Sequence, residues 1–134
     1  MTDDRKKLLK SFKYVALGAI RRKFSYSQTV KDIYSARISE KTGPRGGKMY
    51  ICDGEGCGDS ASTSKMNVDH IEPVIPLDKS YDDLTLDEIT ERIVCEPENL
   101  QLLCKACHDK KTEIEKDIRK EHRKAKKGKL GLIV

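Results

Sequence analysis

Tryptophan is absent from the 134 residues, and phenylalanine occurs only twice. So little aromatic area leaves a chain of this length, suited to one domain, with a thin hydrophobic core that calls for a staple. Long apolar runs are missing too. Val15 to Ile20 falls far short of the ~20 residues that span a bilayer, and Lys13 and Arg21 flank it. Membrane insertion and secretion are both disfavoured, so the expected location is cytoplasmic. In a reducing compartment the five cysteines read poorly as a disulfide framework and first as zinc ligands.

Charge is plentiful and unevenly placed. Residues 1–50 carry 13 Lys/Arg against 4 Asp/Glu, residues 51–100 carry 3 against 13, and residues 101–134 carry 11 against 5. Two basic ends around an acidic middle fit a protein that grips a polyanion and keeps carboxylates in the centre for a hard cation. Solvated helix faces would give the same composition, so motifs must discriminate.

After Asp3 and Asp4, apolar residues Leu8, Phe12, Val15, Ala16 and Ile20 recur at helical spacing, and Arg21, Arg22 and Lys23 close the segment where cations suit the macrodipole. Ser27 is placed to cap a second helix carrying Val30, Ile33, Tyr34 and Ile38, which breaks at a flexible hinge, Thr42 to Gly47. Lys48–Ile51 and Asn67–Ile71 read as strands, the latter ended by Pro73 and Pro76. Thr85 and Glu88 form a capping box for a short helix through Ile93, an insertion read as core packing. From His108 to about Lys127 a long exposed helix is expected, with Glu115 and Arg119 as an i,i+4 pair and Leu130 to Val134 as a loose end.

Cys104 and Cys107 stand in a C-x2-C spacing that presents two thiolates to one tetrahedral ion, and Cys52 and Cys57, in a looser C-x4-C, supply two more. Two close pairs are hard to attribute to packing; lone Cys95 reads as a small hydrophobe outside the site.

With the cysteines in place, Asp69-His70-Ile71-Glu72-Pro73 and Asn99-Leu100-Gln101-Leu102-Leu103-Cys104-Lys105-Ala106-Cys107-His108, followed by Lys111-Thr112, closely resemble the HNH endonucleases of the ββα-metal fold. The likeness spans Ile51 to Thr112 and is greatest to the small cysteine-containing nucleases of bacteriophages. It implies an α+β fold: an HNH core with a four-Cys structural Zn2+ site over 48–112, a basic helical arm over 1–47, and a basic helix and tail over 113–134. It further implies that His70 is the general base, that Asp69 and His108 hold a catalytic Mg2+ or Mn2+, and that Asn99 orients the loop and ring of His70. Thr112 stands where some members carry a further His or Asn. Neutral imidazole suits proton abstraction from water near pH 7, and a hard cation suits the charge that builds on phosphate oxygens.

The expected activity is hydrolysis of DNA phosphodiester bonds in the bacterial host, with Arg21, Arg22, Lys23, Lys105 and Lys111 as phosphate contacts and little base readout. His122 reads as a surface residue. Two alternatives stay open, a non-catalytic zinc-stapled nucleic-acid-binding module and an accessory subunit of a phage packaging complex beside terminase. The oligomer is monomer or homodimer.

Overall fold

The computed structural model describes the backbone of residues 1–133 and the side chains of residues 1–128. Helix α1 (Asp3–Ser25) is capped by Thr2, whose hydroxyl accepts from the Arg5 amide, and it carries acids in its first turn and Arg22 and Lys23 in its last. Leu17 and Phe24 are its buried residues, with Ile20 packed beside them, whereas Leu8, Phe12 and Val15 of the expected apolar stripe are exposed. The N-terminal half lacks buried positions, so helical spacing there marks the helix without marking a buried face.

Ser27 caps α2 (Gln28–Ser35), which buries Val30 and Ile33. The expectation that this helix includes Ile38 is corrected: Ile38 opens β1 (Ile38–Thr42), which pairs antiparallel with β2 (Lys48–Ile51). β-branched Ile38 and Thr42 suit a strand, and the supposed hinge is the connecting turn, closed by the Gly43 amide on the Gly47 carbonyl at 2.8 Å, with Gly46 at φ +77°. The boundary drawn at residue 47 therefore falls inside a hairpin. Strand β3 (Ser60–Ala61) completes the order β1-β2-β3.

A second sheet has two strands, β4 (Met66–His70) and β5 (Leu100–Cys104), in antiparallel register from Met66↔Cys104 to His70↔Leu100. Helix α4 (Lys105–Ile133) starts at the next residue and packs on both strands. It begins earlier and runs further than the span expected, and the side chains of Leu130 to Val134 lie outside those described.

Between the strands lies α3 (Leu86–Ile93), whose capping box forms as expected: the Thr85 amide donates to Glu88 and the Glu88 amide donates to Thr85, each at 3.1 Å. Ile89 and Ile93 from α3 and Leu102 from β5 are the most deeply buried side chains, surrounded by Leu17, Val30, Ile33, Met66, Leu100 and Leu103. Each fully buried side chain of this size contributes about 1.5–3 kcal/mol.

Three cations satisfy the carbonyls of the loop ahead of α3. Arg92 donates to Pro73 and Val74, Arg119 to Ile75, Pro76 and Lys79, and Lys13 to Tyr81 and Leu84. Arg119 is thus committed to backbone, and Glu115 pairs with Lys111 instead of with Arg119. Among the described residues no helix is long and apolar enough to cross a membrane.

Candidate metal centre and active site

The sulfurs of Cys52, Cys57, Cys104 and Cys107 lie within 4.8 Å of one another, and among the described residues no other group of three or more His, Cys, Asp or Glu converges in this way. Cys57 and Cys104 sulfurs are 3.9 Å apart. Four thiols this close suit a metal ion such as zinc.

The backbone around them is arranged for it. The amides of Gly54 and Cys104 both donate to the Cys52 sulfur at 3.2 Å, so the thiolate charge is met by two N–H groups. A Cβ on Gly54 would stand 2.5 Å from the Cys107 sulfur, and only glycine fits there. Hydrogen bonding to Cys57, then to Cys104 and Cys52, pushes the Cys107 thiol up to about 12, since crowded sulfurs disfavour one another's thiolate forms.

The knuckle between Cys52 and Cys57 is docked on β5. The Asp53 amide donates to the Leu102 carbonyl at 2.7 Å, the Leu102 amide donates to the Asp53 carboxylate at 2.7 Å, and Arg37 pairs with that carboxylate. Cys95 stands apart, half-buried against the core, as expected.

Asp69 and His70 end β4 and line one cavity of about 510 Å³. Neighbours on a strand point to opposite faces, yet both line this cavity, at the point where β4 ends. His70 Nε2 lies 2.9 Å from the Ile93 carbonyl oxygen. A carbonyl only accepts, so in the neutral ring Nε2 carries the proton and Nδ1 keeps its lone pair. Phe24, 6.0 Å away between ring centroids, flanks the imidazole.

Asn99 staples the chain just beyond His70, its side chain accepting from the Glu72 amide at 2.8 Å and donating to the Glu72 carbonyl, while its own carbonyl accepts from the Ile71 amide. It holds the loop; the ring of His70 is held by Ile93.

The Asp69 carboxylate accepts from Gln101 at 3.1 Å and pairs with the Lys111 ammonium at 2.8 Å. Lys111 also meets Glu115 and the His70 carbonyl oxygen. Burial pulls the Lys111 pKa down, but hydrogen bonds to Asp69 and Glu115 outweigh it and leave the group above the ordinary lysine value. Expected as a phosphate contact, Lys111 is instead committed within the protein.

His108, in the first turns of α4, lines a neighbouring cavity with Lys105. The two cavities share Asn67. Lys105 is exposed and paired with Asp109, and Arg21, Arg22 and Lys23 are exposed near the C-terminal end of α1, with Arg21 lining the His70 cavity. Thr112 donates back to the His108 carbonyl.

Sequence reasoning did not find the Ile93 carbonyl, Phe24, Gln101 or the Lys111–Glu115 pair. Gln101 is legible once the register sets it opposite Asp69, and Lys111–Glu115 is legible as an i,i+4 pair. The chain matches no protein-family model, no curated protein and no solved structure.

Proposed function

We propose that this protein is a metal-dependent HNH endonuclease that hydrolyses DNA phosphodiester bonds. The observation that carries the reading is His70, whose ring is held by the Ile93 carbonyl so that Nδ1 is left as a proton acceptor, in an open cavity beside the Asp69 carboxylate.

In this reading His70 Nδ1 takes the proton of the attacking water. Asn99 fixes the loop after His70, and so keeps the end of β4 from fraying. Asp69 and His108 would hold the divalent cation, which, when bound, offsets the charge gathering on the phosphate and leaving oxygens. The four cysteines would hold a structural zinc and so tie the junction of β5 and α4, the element presenting His108.

The test is nicking of supercoiled plasmid with Mg2+ or Mn2+ beside a chelator control. His70→Ala should lower the rate about 10²–10⁴-fold; equal nicking by this variant removes His70 as base.

One observation favours a second reading, a zinc-stapled nucleic-acid-binding module without catalysis: Lys111 already neutralises Asp69. Absence of metal-stimulated nicking with DNA binding retained would select it.

A further inference from the structure

Three cavities follow one another through shared residues. The cavity of His70 meets a second, of about 370 Å³, at Arg21, and a third, of about 870 Å³, at Asn67. Arg22 and Tyr14 lie on the second. Lys41, Lys65, Lys105 and His108 lie on the third.

Lys41 and Lys65 sit in places the charge pattern alone does not single out, the end of β1 and the residue before β4. Both are exposed, and among the described residues neither is ion-paired, whereas Lys105 is tied to Asp109. Asp59 is the other carboxylate on this cavity, so the two lysines leave it cationic. Positive charge therefore flanks His70 on both sides, from Arg21 and Arg22 on α1 and from Lys41 and Lys65 across Asn67.

We infer that the three cavities form one track for a single nucleic-acid strand, with His70 at its middle and phosphates beyond Asn67 held by Lys41 and Lys65. A row of openings joined at Arg21 and at Asn67 suits one phosphate backbone, and exposed lysines neutralise phosphates by releasing counterions. This rests on the endonuclease reading for what the track delivers to His70.

The test measures binding of a short fluorescent single-stranded DNA by zinc-loaded protein, without Mg2+ or Mn2+, over a range of salt. Each single-strand phosphate contact contributes about 0.7 to the slope of log affinity against log salt. Lys41→Gln/Lys65→Gln should therefore be shallower by about 1.4, and Lys65→Gln alone by about 0.7. Lys6→Gln/Lys7→Gln is the control: these residues lie about 20 Å along α1 from Arg21 at 1.5 Å per residue, and the slope should hold. An unchanged slope in the Lys41/Lys65 variant, or an equal fall in the control, overturns the track. Plasmid nicking by the unaltered protein separates the two ideas. A shallower slope without any nicking keeps the track and removes the nuclease; nicking with an unmoved slope does the reverse.

Discussion

The Lys111 ammonium lies 2.8 Å from the Asp69 carboxylate, so α4 delivers a positive charge to the residue that the proposed chemistry gives to a divalent cation. Ammonium and metal compete for one oxygen. Lys111→Met should tighten Mn2+ binding about fivefold, the equivalent of an ion pair worth about 1 kcal/mol. Titration followed by electron paramagnetic resonance of free Mn2+ checks this; equal or weaker binding means that Asp69 does not face the ion.

Gly54 is the sharpest steric requirement in the metal centre. Gly54→Ala places a methyl group 2.5 Å from the Cys107 sulfur and should weaken zinc binding by more than tenfold, while Gly47→Ala, with open space around it, should not change it. Competition with a chromogenic chelator reads both.

Cys104→Ser removes the sulfur that ends β5. Co2+ titration of this variant should lack the full tetrathiolate absorption, and thermal unfolding should lose cooperativity, since binding energy at a structural zinc is folding energy. Retention of both would show the sulfurs to be packed thiols.

Acid stability carries a signature of the α3 cap. The Thr85 amide holds the Glu88 carboxyl below its ordinary value of 4.5. A depressed carboxyl stabilises the fold above the unfolded pKa, and that contribution is lost as pH falls through the folded one. Thermal midpoints should decline below about pH 4.5, and Glu88→Gln should flatten the decline. An unaltered acid limb would assign the loss to other carboxyls.

Leu102 lies at the centre of the core with no exposed surface. Leu102→Ala should cost about 2–5 kcal/mol in urea unfolding; a loss under 1 kcal/mol would mean that β5 is not packed into the core.

Local grammar made much of this legible. The Thr85–Glu88 box, the Ser27 cap and the two cysteine spacings each involve residues a few positions apart, and each forms as written. Failures came where one pattern serves two structures. Ile38 continues a helical spacing yet sits as well in a strand, and a glycine-rich break serves a hinge or a hairpin equally; pairing with β2 settles both. The surroundings of His70 were out of reach, because Ile93 is 23 residues and Phe24 is 46 residues away in the chain and only the folded core brings them to one ring. The insertion read as packing alone therefore also supplies, through a main-chain oxygen, the contact that sets the tautomer of the imidazole.

The five-pair ladder of β4 and β5 is fastened at both extremities, by the sulfur cluster where Met66 faces Cys104 and by the Asn99 side chain where His70 faces Leu100. An isolated two-stranded ribbon is marginal in water and opens from its ends. Fastened in this way, it opens only when the whole domain does, and its amide protons should be among the slowest in the molecule to trade with deuterium.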